Sequence, residues 1–220
     1  MHWSRHPIPP MRLESRFGDR VVPAFAARPT SIWAMVAEAA ATDPGGDALV
    51  CGDRRMTWGE VADASARVAG GLRGLGLIRG DRVAVLLGNR IEFVLSVFAA
   101  ARLGLVTVLL SPRQQTPEIA YVLNDCGSKL LIHEAGLADR LPEARDVPAL
   151  THRIAVDDDV ALSRFATLAD GVPWAGSSEV GEEDTAMILY TWGRRGGRRA
   201  RCLRIATSSI RQWSMRPACS

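Results

Sequence analysis

Lysine is nearly missing from this chain: Lys129 stands alone, so almost all of the 27 basic residues are arginine. With its abundant alanine, this is the composition that GC-rich codons produce, and it carries no functional signal. Cysteine is sparse and scattered. Cys51, Cys126, Cys202 and Cys219 include no C-x-x-C pair, which leaves neither a zinc site nor a redox dithiol and points to ordinary thiols in a reducing compartment. The first ten residues hold His2, His6 and three prolines but no apolar stretch of signal-peptide length, so a cytoplasmic protein is expected.

Long apolar runs are lacking too. Residues 91–110 come nearest to a membrane span, but Glu92, Arg102 and Gly104 interrupt them, and a helix followed by a buried strand suits the pattern better. There is no internal repeat. The Asp157-Asp-Asp159 run lacks the spacing of an EF-hand and reads as a solvated turn. His133 follows an apolar run and is expected to be structural rather than a base or a metal ligand.

Acidic residues are missing from one end only. Residues 192–220 contain eight arginines and no acid, whereas the remainder has 19 basic against 24 acidic residues, a net of −5. Such a break marks either a functional basic tail or a segment of different origin. Arg194, Arg195, Arg198, Arg199, Arg201 and Arg204 have the charge to neutralise nucleic-acid phosphates. No helix-turn-helix or RNA-binding motif accompanies them, and charge alone gives only non-specific binding, so no nucleic-acid role is expected.

What is present suffices for a core, since 47% of 220 residues are hydrophobic. Apolar residues at helical spacing after Ser31 predict a helix over 31–41. Residues 48–51 and 56–58 predict a hairpin turning through Gly52. Thr57 and Glu60 stand at capping-box spacing, predicting a helix from Trp58 to about Leu75. Residues 83–87 form a continuous apolar run, as in a strand buried on both faces. Asn89 and Glu92 repeat the capping-box spacing before a helix reaching about Leu103. A strand is expected at 105–110. Thr116 before Pro117 predicts the cap of a helix closed near Gly127, and a third strand follows at 129–133. This alternation predicts an α/β fold in which βαβ units form a mostly parallel sheet flanked by helices. Beyond it, periodicity is weak from 136 to 184, with one strand at 153–156, and returns as a buried-strand signal at 185–191.

The order of these signals resembles the opening of acyl-CoA synthetases and of the adenylate-forming (AMP-binding) superfamily that includes them. The resemblance rests on residues 48–60 (ALVCGDRRMTWGE), 80–90 (GDRVAVLLGNR) with Glu92 and Phe93, 99–104 (AAARLG) and 184–191 (DTAMILYT). In that family the last strand delivers S-G-T-T-G-x-P-K-G, a loop that surrounds the triphosphate of ATP. Glycines there let the backbone approach phosphate oxygens and the lysine adds a point charge. Here residues 192–200 read WGRRGGRRA. Thr191, Gly193 and Gly196 hold their places and Arg199 falls where the lysine belongs, so the resemblance makes these four the degenerate phosphate-loop positions. It assigns no catalytic and no metal-binding residue.

A shifted reading frame accounts for the mismatch. With permitted codons for residues 192–202, one cytosine inserted after the first base of the Trp192 codon makes the segment read S-G-T-T-G-R-P-K-G-A-M. The same shift explains the arginine-rich end, since GC-rich codons read out of frame yield arginine. The organisation expected is therefore an N-terminal extension at 1–30, a partial AMP-binding domain at 31–191 and an aberrant tail at 192–220. The resemblance implies an enzyme that activates a carboxylic acid, of fatty type, as an acyl-adenylate at the expense of ATP with Mg2+, and transfers it to CoA. This chain is expected to be catalytically incomplete. Two alternatives stand beside that reading: an interaction module that binds an intact ligase, and a basic-tailed nucleic-acid-binding protein. The acyl substrate and the oligomeric state are left open.

Overall fold

The computed structural model describes residues 10–16, 18, 20–157, 164–176, 178–192 and 198–204, with backbone only from 191 onward. Two strands come first, β1 (Met11–Arg16) and β2 (Arg20–Phe25), paired as an antiparallel hairpin. Helix α1 (Ile32–Thr42) follows, its N-terminus closed by Ser31 Oγ accepting from the Ala34 amide at 3.0 Å. β3 (Asp47–Cys51) and β4 (Arg54–Thr57) make a second hairpin that leads into α2 (Trp58–Gly74). The Thr57 capping box forms: Thr57 Oγ1 accepts from the Glu60 amide at 3.3 Å, and Glu60 Oε2 accepts from the Thr57 amide at 2.8 Å.

The central repeat is β5 (Arg82–Leu86), α3 (Ile91–Leu103), β6 (Val106–Leu109), α4 (Thr116–Cys126) and β7 (Leu130–Glu134). Two short 3-10 turns, Ala135–Arg140 and Ala144–Asp146, lead to β8 (His152–Val156), and α5 (Arg164–Ala169) precedes β9 (Thr185–Trp192) and β10 (Arg198–Arg204). The main sheet has the order β10-β9-β6-β5-β7-β8. Its five strands from β9 to β8 are parallel, and β10 is antiparallel to β9. The expected α/β architecture is therefore the observed one.

β5 explains why the helices lie on both sides. Val83 and Val85 face a core shared with α1, α2, α3 and α5, whereas Ala84 and Leu86 face a second core built with Ile119, Val122 and Leu123 of α4. All four of these strand residues are essentially without solvent exposure. The continuous apolar run follows from that, because neither face of a central parallel strand meets water.

Two caps differ from expectation. Asn89 does not cap α3; Arg90 holds the N-cap position with no side-chain cap bond, and Glu92 turns instead to Arg54 Nη1 at 2.9 Å and Arg90 Nε at 2.8 Å. Charge-assisted bonds to two guanidinium groups outcompete a neutral cap. At α4 the cap is Gln115, one residue earlier than Thr116, with Glu118 Oε2 accepting from the Gln115 amide at 2.9 Å. β9 is also less buried than its apolar run suggests. Ile188 is the one buried residue among its described side chains, because Met187 and Leu189 join neither core cluster.

Residues 164–176, which lack periodicity, hold their place through Phe165 and Leu168 in the first core and through close backbone contact. The Trp174 amide donates to the Ala66 carbonyl of α2 at 3.0 Å, and a Cβ on Gly70 would collide with the Val172 carbonyl oxygen. Gly70 and Gly71 thus let a loop cross the helix at backbone distance. The only lysine pairs Nζ with Asp81 Oδ1 at 2.8 Å just before β5 and β7 begin, and Asp81 Oδ2 accepts from the Ile78 amide at 3.0 Å.

The glycine crossing is testable by substitution. Gly70→Ala should lower the unfolding free energy in urea by about 1–3 kcal/mol through overpacking. Gly74→Ala, where a Cβ meets nothing within 4 Å, should raise it by up to about 1 kcal/mol.

Candidate functional site

In a parallel sheet all strands end on one side, and ligands gather where successive connections leave towards opposite faces. Here β5 leaves through α3 to one core and the adjacent β6 leaves through α4 to the other, so the divergence lies between the carboxyl ends of β5 and β6. β9 lies beside β6, its last paired residue being Leu189 opposite Leu109. Thr191 is thus carried two residues past the end of the ladder with β6, into the part of β9 that pairs with β10 alone.

The rim of this crevice is polar and internally bonded. The Gly88 amide donates to Glu134 Oε1 at 2.6 Å, tying the end of β5 to the end of β7. The Ser111 amide donates to Gln114 Oε1 at 3.0 Å, and Arg140 Nη1 to the Pro112 carbonyl at 3.1 Å. Tyr190 OH donates to Asp125 Oδ2 at 2.6 Å and meets Tyr121 edge-on with centroids 6.2 Å apart, bracing the end of β9 against α4. Burial, and then the Asp125 carboxylate, push the Tyr190 phenol far up, so it remains a donor. Glu134 and Asp125 escaped sequence reasoning, although an acid directly after a buried strand is the available signal for the former.

His133 is buried on β7, and its Nδ1 lies 2.8 Å from the Glu134 carbonyl, an acceptor, so Nδ1 carries the hydrogen. Burial lowers its pKa from the ordinary 6.5, the Glu134 carbonyl opposes this, and the Arg153 charge adds to the lowering. It is a fixed structural imidazole at the rim.

Of the four positions singled out by sequence, two are placed relative to each other. Thr191 and Arg199 are paired across the β9–β10 hairpin. Gly193 and Gly196 lie outside the described residues. The ladder continues to Trp192 opposite Arg198, the last pair before the connection between the two strands. Triphosphate recognition by such a connection needs converging amides and small hydroxyl side chains. In the sequence, Trp192, Arg194 and Arg195 stand where small hydroxyl side chains would be needed. Among the described residues, no group of three or more His, Cys, Asp or Glu side chains is arranged to hold a metal ion. Among them, too, no helix is long and apolar enough to cross a membrane.

A parallel sheet with diverging crossovers, extended by one antiparallel strand, defines an open α/β class. The family model of the AMP-binding enzyme matches residues 36–194, and the chain belongs to that family. It is 35% identical over 148 residues to the long-chain-fatty-acid–CoA ligase FadD13 of Mycobacterium tuberculosis, a match covering 66% of this chain and 28% of that enzyme. The uncharacterized protein Rv1549 of the same species is 35% identical over 132 residues, covering 59% of this chain and 74% of the relative. Among solved structures, the inhibitor-bound N-terminal domain of FACL13 from Mycobacterium tuberculosis superposes with a TM-score of 0.72 at 31% identity, covering 80% of this chain and 44% of that domain. The chain therefore spans under a third of the ligase and under half of the solved domain.

Acid should reveal the state of His133. The folded protein disfavours the imidazolium, so stability should decline as pH falls below 6.5, where the unfolded chain gains a proton the folded one resists. His133→Asn, which retains a donor for the Glu134 carbonyl, should be less stable at neutral pH. Urea denaturation between pH 7 and 5 checks that its pH slope is the flatter of the two.

Proposed function

We propose that residues 31–191 are the opening part of the adenylate-forming domain of an acid–CoA ligase acting in the cytoplasm on a carboxylic acid of fatty type, and that the tail from Trp192 leaves the chain catalytically incomplete. The first half is supported by the match over 36–194 and by the CoA ligase among the relatives. The second rests on the loop chemistry, not on the length of the chain. Thr191, Gly193, Gly196 and Arg199 are the surviving phosphate-loop positions, but the hydroxyls that would complete the cradle are replaced by arginine and tryptophan. We attribute the replacement to a one-base frame change at the Trp192 codon.

Within this reading, the contribution of the present residues is positional. The diverging connections after β5 and β6 form one wall of a reaction crevice, the Glu134–Gly88 bond fixes its rim, and the Tyr190–Asp125 bond braces β9 against α4. Held reactants gain through orientation rather than through any group that acts chemically here. A second reading, a stand-alone module that binds an intact ligase, draws on Rv1549, a relative matched over 74% of its own length.

Titration calorimetry with Mg-ATP at moderate salt separates these statements. The chain as given should show weak or no binding, and any residual attraction by its arginines should fade with salt. A chain with the frame restored at Trp192 and continued to its stop should bind ATP and form acyl thioesters in an ATP-dependent assay. Micromolar, salt-resistant binding by the unrestored chain would overturn the assignment of a non-functional loop.

A further inference from the structure

The N-terminal hairpin is not independent of the sheet. One side of the β1–β2 hairpin carries Arg12, Glu14 and Arg16, and just beyond it stands Arg28, whose side chain is only 6% exposed. Arg28 Nη2 lies 2.7 Å from Glu14 and 2.8 Å from Glu182, its Nε lies 3.0 Å from Glu182, and Nη1 donates to Glu14 at 3.0 Å. Arg16 bridges the same two carboxylates, reaching Glu14 at 2.6 Å and also pairing with Glu182. Glu182 thus links the hairpin to a segment more than 150 residues away in sequence.

Glu182 sits in a tight turn that starts β9. The Gly181 amide donates to Asp184 Oδ2 at 2.9 Å, the Asp184 amide returns to the Gly181 carbonyl at 3.0 Å, and Arg79 pairs with Asp184 at 2.5 Å. The strand that follows needs such an anchor. β9 joins the parallel sheet through only Met187, Ile188 and Leu189, opposite Thr107, Val108 and Leu109. Of these three, only Ile188 is buried. Register is weakly fixed where a ladder is short and one face carries little burial, and a slip of one residue exchanges the faces and shifts the strand end by about 3.3 Å.

We propose that Glu182 is a positioning residue: clamped between Arg16 and Arg28, it lets the N-terminal hairpin set the register of β9 and so the place where the loop after Thr191 begins. The use of that placement rests on the adenylate-forming reading; the clamp does not. Bidentate pairs between partly buried forks and carboxylates have the geometric definition such a role requires, which a single exposed pair lacks.

Hydrogen exchange on the full chain tests the clamp without any nucleotide, so its failure is distinct from failure of the ligase reading. In Glu182→Gln, amides at 187–190 should exchange about tenfold faster or more, while amides at 83–86 stay within about twofold of the parent. Leu13→Ser, on the exposed side of the same hairpin, should leave 187–190 unchanged. If the Gln variant loses protection everywhere, the parent chain is compared at low salt and at about 1 M salt, where screening should release 187–190 before 83–86. Acceleration confined to residues 11–25, or uniform loss of protection in both comparisons, overturns the proposal.

Discussion

A strand that is apolar on both faces must be covered on both faces. β5 meets that requirement by sending its own crossover, α3, to one side while the next crossover, α4, covers the other. Much else follows from this one constraint. α1 and α2 pack on the α3 side because the face of Val83 and Val85 is too broad for one helix, and α5 completes that layer with Phe165 and Leu168. The crevice at the carboxyl edge is the geometric by-product of the two crossovers parting, so the candidate site is a consequence of core formation rather than an addition to it.

The long-range ties are made largely by arginine, and its planar fork is what they exploit. Arg82 donates Nε to the Cys126 carbonyl at 2.6 Å and Nη2 to the Gly127 carbonyl at 3.0 Å, satisfying groups at the end of α4 that the helix leaves without partners. Arg102 lies over the Trp33 ring, 4.2 Å from its centroid, and donates to the Gly176 carbonyl at 3.1 Å. The Arg102 contacts join segments that no sheet ladder connects.

The parts legible in the sequence were those governed by local rules. Ser31 and Thr57 cap helices where spacing placed them, and the βαβ alternation and a strand at 153–156, observed at 152–156, were visible from apolar runs and turns. Asn89 and Thr116 misled because a cap is a competition: Glu92 has two guanidinium partners, one of them on a hairpin distant in sequence, and local spacing cannot show that. α5, with six residues, is too short to show a period although Phe165 and Leu168 dock it into the core, and the loop to Trp174 docks against glycine backbone rather than through an apolar stripe. The same limit applies at the site. The strand leading to the loop and the altered loop residues could be read directly, whereas the Glu134–Gly88 tie and the Tyr190–Asp125 brace depend on which strands become neighbours.

The solitary lysine has a practical meaning. Its ammonium is paired with Asp81 yet 43% of the side chain is open to solvent, at the amino end of β7 and so across the sheet from the crevice. Apart from the chain's own α-amino group, amine-directed chemistry therefore has one address. A fluorophore attached there would report on the packed body of the protein from a point where it touches nothing at the carboxyl rim, giving a spectroscopic reference that needs no engineered cysteine.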